Sequence, residues 1–207
     1  MMMRTLEKVE GMSFEALSAG LGEDWPFESF REFVDAMEKK RSVINIGALI
    51  GHTPLRTFVM GEDACKRKAT SEEMASMKAL VREAMDNGAI GFSTSKAASH
   101  HGYLGKPVPS RLAEYDEFDA LVGAVSESGH GIFQCAFGKD LFFEEFKTLY
   151  QKHKVPITWV PLLSGLAGPG SHKKFLLKAV SQIEEGIEVY PQVACRPIMF
   201  DFHMLEP

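Results

Sequence analysis

The sequence predicts an α/β fold with a parallel β-sheet, on three observations. Five runs are almost continuously apolar, as strands buried on both faces are: 43–50, 89–93, 131–137, 157–163 and 188–193. Segments with the apolar spacing of helices lie between these runs. The later strands also begin about 30 residues apart, which is the length of one βα unit. Alternation of this kind predicts parallel strands joined by right-handed crossovers.

Each predicted helix has an apolar face, and most are followed by a glycine that ends them. In the clearest one, over 71–87, Thr70 and Glu73 form a capping box at the start and Gly88 follows the end. The apolar faces carry Phe30, Phe33, Val34 and Met37; Met74, Met77, Val81 and Ala84; Phe118, Leu121, Val122 and Val125; Phe142, Phe146, Leu149 and Tyr150; and Phe175, Leu176, Ala179, Val180 and Ile183.

Two long loops are predicted over the edge at which the parallel strands end. Residues 51–70 follow the first strand, and residues 96–111 follow the second. Long loops in compact domains are usually functional or mobile, so both are candidates for binding. Residues 1–25 are predicted to be an N-terminal extension of a single domain that takes up 1–207.

The composition excludes several classes of protein. Apolar residues make up 45% of the 207 residues and charged residues 25%, values typical of globular proteins and not of disordered or fibrous ones. The net charge of −5 argues against a nucleic-acid binder. No apolar run approaches the ~20 residues that span a bilayer. Cys65, Cys135 and Cys195 form no Cys-x-x-Cys pair and fit a reducing compartment. We expect a cytoplasmic protein that binds neither nucleic acid nor membrane.

The most distinctive motifs follow or form strands. They are Gly51-His52-x-x-Leu55-Arg56 with Val59-Met60-Gly61, then Gly88-Ala89-Ile90-Gly91-Phe92-Ser93-Thr94-Ser95, and Tyr190-Pro191-Gln192-Val193-Ala194-Cys195-Arg196-Pro197. In this order they resemble the D-aminoacylase / N-acyl-D-amino-acid deacylase group of the amidohydrolase superfamily. The resemblance implies a (β/α)8 TIM barrel, of which this chain would supply about strands three to seven, because five βα units do not close an eight-stranded barrel. It also implies hydrolysis of an amide or another non-peptide C–N bond.

The resemblance further implies zinc, which activates a water molecule and polarises the scissile carbonyl. Enzymes of the family take ligands from a His-x-His on the first strand, an early Cys, a His at the end of each of strands five and six, and an Asp on strand eight. This sequence has no His-x-His, and Gln134 or Cys135 stands where the strand-five histidine is expected. The strand-six run, 157–163, contains no histidine. We therefore expect zinc in the complete family enzymes and no metal bound by this chain.

Substrate binding is predicted for polar residues at or just beyond strand ends, where parallel α/β proteins hold ligands. The residues are His52, Arg56, Ser93, Thr94, Ser95, His100 and Arg196. Structural roles are the alternatives. His52 could bond to loop backbone, Arg56 could pair with Glu62 or Asp63, and the three hydroxyls could satisfy loop backbone. Lys96 could match the carboxylated lysine of some relatives. No catalytic residue is assigned.

The predicted function is that of an amidohydrolase-like, N-acyl-D-amino-acid deacylase-type hydrolase in its complete form, with this chain inactive alone. Its partner would be a small N-acyl amino acid or a related amide. We also expect a homo-oligomer, because an unclosed barrel leaves strand edges uncovered. One alternative is a non-catalytic α/β module for binding or oligomerisation that has lost the metal site. A weaker one is a domain that binds an anionic metabolite at the glycine-rich loop 165–171.

Overall fold

The sheet has five parallel strands in the order of the chain. The computed structural model describes residues 12–22, 26–165 and 167–197, together with Thr5, Glu7 and Val9. The strands are β1 (Ile50–Gly51), β2 (Gly91–Ser95), β3 (Ile132–Ala136), β4 (Ile157–Val160) and β5 (Val189–Pro191). Each pairs in parallel with the next. The predicted parallel βα repeat is confirmed, and the arrangement is that of a partial (β/α)8 barrel.

Helices connect the strands and precede the first one. They are α1 (Phe14–Leu21), α2 (Phe30–Lys40), α3 (His52–Met60), α4 (Ser71–Asp86), α5 (Tyr115–Glu127), α6 (Phe143–His153) and α7 (Ser171–Glu184). The capping box predicted for α4 is present, because Glu73 N donates to Thr70 Oγ1 at 3.2 Å and Thr70 N donates to the Glu73 carboxylate at 2.8 Å. The predicted extension 1–25 lies partly outside the described residues, and α1 falls within it.

Two predictions around the first strand are wrong. Of the run 43–50, only Ile50 joins the sheet, with Gly51, and Val43 and Ile44 are largely exposed. The ladder starts at Ile50, opposite Phe92, and is preceded by one backbone hydrogen bond, from Ile90 N to the Ala48 carbonyl at 2.9 Å. The segment 51–70 contains helix α3 instead of a loop. Pro54 lies in the first turn of that helix, where a missing N–H costs nothing.

The loop predicted at 96–111 contains two short 3-10 turns, Tyr103–Gly105 and Pro109–Leu112. The helix face predicted for α7 is only partly buried. Ala179 is buried, whereas Val180 and Ile183 are 42% and 41% exposed. Within the part of the chain that the structure describes, no helix is long and apolar enough to cross a bilayer.

The core lies between the sheet and its helices. Phe92, Phe133, Ile157 and Val189 are in register across β2 to β5, and all four are fully buried. Because side chains alternate between the two faces of a strand, the residues between them lie on the opposite face. The strands therefore present an apolar face to the helices. We call the opposite side of the sheet its open face.

The strands β2 and β3 approach each other closely at Gly91. Its φ is +145°, and a Cβ atom placed on it would lie 2.0 Å from the carbonyl oxygen of Ile132. Only glycine fits both the backbone angle and this approach.

Candidate functional site

A buried polar cluster links the end of β2 to helices α3 and α5. His52, the first residue of α3, is 1% exposed. Its Nδ1 lies 2.8 Å from Thr94 Oγ1, and its Nε2 lies 2.7 Å from Glu117 Oε1. The Glu117 carboxylate also accepts from Arg56, whose Nη1 lies 2.6 Å from Oε1 and also bonds to Oε2. Arg56 Nη2 donates to the carbonyl of Arg67 at 2.9 Å.

The partners of the His52 ring assign its tautomer. A carboxylate only accepts hydrogen bonds, so Nε2 carries the proton and donates to Glu117, and a neutral ring then accepts the Thr94 hydroxyl proton at Nδ1. Burial lowers the pKa of His52 below its ordinary value, although Glu117 acts in the opposite direction. For Glu117, burial raises the pKa, but His52 and Arg56 outweigh that effect and hold it below its ordinary value. The cluster therefore holds a neutral imidazole beside a carboxylate–guanidinium pair.

These shifts predict that acid destabilises the fold. In the unfolded chain, His52 takes up a proton below about pH 6.5, whereas in the folded chain its lowered pKa keeps it neutral at that pH. The free energy of unfolding therefore falls as the pH drops below that value. The lowered pKa of Glu117 acts in the same direction, because its contribution is present above the ordinary pKa and is lost as the pH falls through the folded one. Urea denaturation at a series of pH values measures the fall. In His52→Gln, the slope near pH 6 should become shallower; an unchanged slope would contradict the assignment.

The structure corrects one expectation for this cluster and adds a residue to it. Arg56 does not pair with Glu62 or Asp63, as the nearer acidic residues suggested, but with Glu117. Glu117 was missed by the sequence reasoning. The available signal was its place on α5, adjacent to Phe118 and four residues before Leu121, so that a carboxylate lies on the helix's apolar face. A charge at such a position is normally paired.

The residues predicted to bind substrate fall into separate groups. Thr94 lies on the helix side with His52, whereas Ser93 and Ser95 lie on the open face. Ser95 Oγ and His100 Nδ1 are 2.7 Å apart, so the structure brings these two predicted residues together. Arg196 lies beyond β5 and is exposed. Substrate binding by any of the seven remains a prediction.

Side-chain hydrogen bonds hold the far end of the loop after β2 against the end of that strand. Lys96 Nζ donates to the carbonyls of Arg111 and Ala113, each at 2.9 Å, and Ser110 Oγ donates to the carbonyl of Ser95 at 2.9 Å. Burial lowers the pKa of Lys96. The two carbonyls hold the Lys96 amine in place, which does not suit the role of a carboxylated, metal-binding lysine.

The ends of β3 and β4 do not fit the zinc site that the family resemblance implies. Cys135 faces the helices in the core, where burial raises the pKa of its thiol and disfavours the thiolate that binds metal. Trp159, its neighbour on β4, is also fully buried on the helix side. Gln134 faces the other way, and its Oε1 accepts from Gln192 Nε2 at 3.3 Å. Among the described residues, no three His, Cys, Asp or Glu side chains cluster so as to hold an ion.

Sequence comparison finds deacylases among the curated relatives. The chain is 41% identical over 73 residues to D-aminoacylase of Alcaligenes xylosoxydans xylosoxydans, an alignment covering 35% of this chain and 15% of that protein. It is 32% identical over 114 residues to N-acyl-D-glutamate deacylase of the same organism, covering 55% of this chain and 21% of that protein. No protein-family profile matches the chain.

Solved structures show the same likeness in the fold. A zinc and phosphonate complex of N-acyl-D-glutamate deacylase from Bordetella bronchiseptica matches with a TM-score of 0.62 and 23% identity, over 83% of this chain and 35% of that one. A D-aminoacylase mutant in complex with copper chloride matches with a TM-score of 0.67 and 23% identity, over 81% of this chain and 34% of that one. The chain thus spans about a third of the length of these structures. The predicted resemblance to the D-aminoacylase / N-acyl-D-amino-acid deacylase group is confirmed by these relatives.

Proposed function

We propose, from this similarity to the D-aminoacylase group, that the chain forms part of an amidohydrolase-type barrel which binds a small N-acyl amino acid or a related amide. The observation that carries the proposal is the parallel sheet in chain order, β1 to β5, matched to N-acyl-D-amino-acid deacylases in both sequence and fold. In such a fold the carboxyl ends of the strands hold the ligand. Here Ser93, Ser95 and His100 lie at or near that edge.

We further propose that this chain alone does not hydrolyse amides. Two of the strand ends that the resemblance expects to supply metal ligands carry Gln134 and Thr158 on their open face, and neither side chain provides an imidazole, a thiolate or a carboxylate. Without an activated water at these strand ends, ground-state binding would remain but the chemical step would not be accelerated.

Binding without turnover is the expected outcome for the purified chain. It would be incubated with N-acetyl derivatives of D-alanine, D-glutamate, D-aspartate and D-methionine, with and without zinc, and released amine would be measured. Binding would be followed in parallel by the melting temperature. We expect a shift in melting temperature with at least one compound and no zinc-dependent release of amine. Zinc-dependent turnover would overturn the claim of inactivity, and the absence of binding to the whole panel would overturn the proposed ligand class.

A second candidate is a non-catalytic α/β module for binding or oligomerisation. The observation that favours it is the placement of Cys135 in the core, where the thiol is turned away from the open face. Zinc content near zero together with retained binding of the panel would favour this candidate.

Self-association also remains a proposal. Apolar side chains are exposed at both ends of the sheet, with Val43 and Ile44 before β1 and Leu177 on α7 beside β5. Surfaces of this kind favour contact with another protein surface. Anion binding at the loop 165–171 is likewise untested, since Leu166 lies outside the described residues.

A further inference from the structure

One row of side chains crosses four strands on the open face. Ser93 is in register with Gln134, Gln134 with Thr158, and Thr158 with Tyr190. Adjacent strands lie about 4.8 Å apart, so the row extends over about 14 Å. Each member is an uncharged hydrogen-bonding group: a hydroxyl, a carboxamide, a second hydroxyl and a phenol. The next row toward the strand ends, Ser95, Ala136 and Val160, also carries no charge.

The middle of the row has hydrogen-bonding capacity that the described residues do not use. Thr158 Oγ1 is buried from solvent and has no hydrogen-bond partner among the described residues. A buried hydroxyl without a partner is disfavoured, so this atom would gain a hydrogen bond from a ligand group that displaces the side chains covering it on the open face. Tyr190 is 43% exposed, so the end of the row on β5 is accessible.

Gln134 already shows which chemistry the row accepts. Its Oε1 takes an amide N–H from the side chain of Gln192 at 3.3 Å. A ligand amide would make the same bond by displacing the exposed Gln192 side chain, and its carbonyl could then accept the Thr158 hydroxyl proton. A metal ion would find no anionic donor in the row, and a desolvated cation needs one.

We infer that the adjacent Gln134 and Thr158, with Ser93 and Tyr190 on either side of them in the row, bind the uncharged amide group of a small ligand, in place of the metal ion that the family resemblance leads one to expect at β3 and β4. The inference rests on the proposed function for the identity of the natural ligand, an N-acyl amino acid.

The test uses the isotope-labelled chain and three probes. N-methylacetamide is the smallest neutral secondary amide, the N-acetyl-D-amino acids represent the proposed ligands, and zinc chloride represents the metal. NMR titration follows the Gln134 side-chain amide and the Thr158 backbone amide. We expect N-methylacetamide to shift both signals and zinc to shift neither. Thr158→Val and Gln134→Met preserve shape and remove hydrogen bonding, and each should weaken amide binding about tenfold, the effect of one hydrogen bond.

Matched controls come from the exposed surface of α6, where Thr148→Val and Gln151→Met make the same changes away from the sheet. They should leave amide binding unchanged. Tyr190→Phe, at the exposed end of the row, provides a variant that leaves the core untouched should either central variant fail to fold. Its amide binding should also weaken.

The possible results separate the row from the proposed function. The assignment of amide binding to this row is wrong if N-methylacetamide shifts neither signal. It is also wrong if N-methylacetamide binds Thr158→Val, Gln134→Met and Tyr190→Phe as tightly as the unaltered chain. Zinc bound one-to-one and lost in Gln134→Met or Cys135→Ala would overturn it as well. If N-methylacetamide binds at the row but no N-acetyl-D-amino acid binds, the row is an amide-binding site and the proposed function is wrong. If the N-acetyl-D-amino acids bind equally well to the row variants, the proposed function is supported and the assignment of amide binding to the row is wrong.

Discussion

Glu117→Ala is expected to lower the free energy of unfolding by about 3–5 kcal/mol, because it leaves a buried charge without its partner. Arg56 is fully buried, and its Nη1 bonds to both oxygens of Glu117. The same change removes the acceptor of His52 Nε2. Urea denaturation followed by circular dichroism measures the loss, and a marginally stable chain would unfold outright.

Two variants show whether the loss comes from the uncompensated charge. Arg56→Met combined with Glu117→Leu replaces the buried pair by apolar side chains of similar size, and should recover most of the stability. Glu114→Ala removes a carboxylate at the residue just before the same helix, where its contact with Lys68 is exposed and its side chain does not cap the helix, and should cost about 1 kcal/mol or less. A loss in Glu117→Ala no larger than in Glu114→Ala would show that the buried cluster does not stabilise the fold.

Gly91→Ala is expected to lower the free energy of unfolding by about 3 kcal/mol or more, because the new Cβ would clash with backbone atoms of the neighbouring strand. The new Cβ would lie 2.0 Å from Ile132 O and 2.7 Å from Ile132 N. Both atoms belong to the neighbouring strand, so relief requires β2 and β3 to separate where their pairing begins. Overpacking against mobile side chains typically costs about 1–3 kcal/mol, and a fixed backbone should cost more.

Gly88→Ala is the matched control, since it isolates the cost of the backbone angle. Gly88 has a φ of +91°, but a Cβ there meets nothing within 4 Å. In Gly88→Ala, the free energy of unfolding should fall by only the ~1–2 kcal/mol typical of an L-residue held in a left-handed backbone conformation. Equal losses at the two glycines, measured in the same urea titration, would contradict the proposed clash between strands.

The parts of the fold that the sequence predicted well are those with local signals. Helix α4 carries its own capping box in Thr70 and Glu73, and the strands from β2 onward are apolar runs bounded by polar residues. Helix α3 was missed because Gly51, Thr53 and Pro54 are typical of turns, although Pro54 lies in the first turn, where proline is compatible with a helix.

The candidate site was less predictable, because its contacts join distant parts of the chain. Glu117 meets Arg56 across 61 residues and His52 across 65. Spacing within one helix cannot reveal such a contact, and the nearer acidic residues, Glu62 and Asp63, were the natural candidates. Alternation along β3 does predict that Gln134 and Cys135 face opposite ways. Which of them faces the open side, and which residues align across strands, depends on register.

The direct passage from β1 into α3 limits how this protein can vary in length. Gly51 ends the strand and His52 begins the helix, so no connecting residue separates them. An α-helix turns by about 100° per residue, so one inserted residue would swing the imidazole away from the Thr94 hydroxyl. The middle of the loop after β2, between Lys96 and Ser110 that hold its ends, should therefore tolerate insertions and deletions better than this junction, where one residue more or less displaces His52.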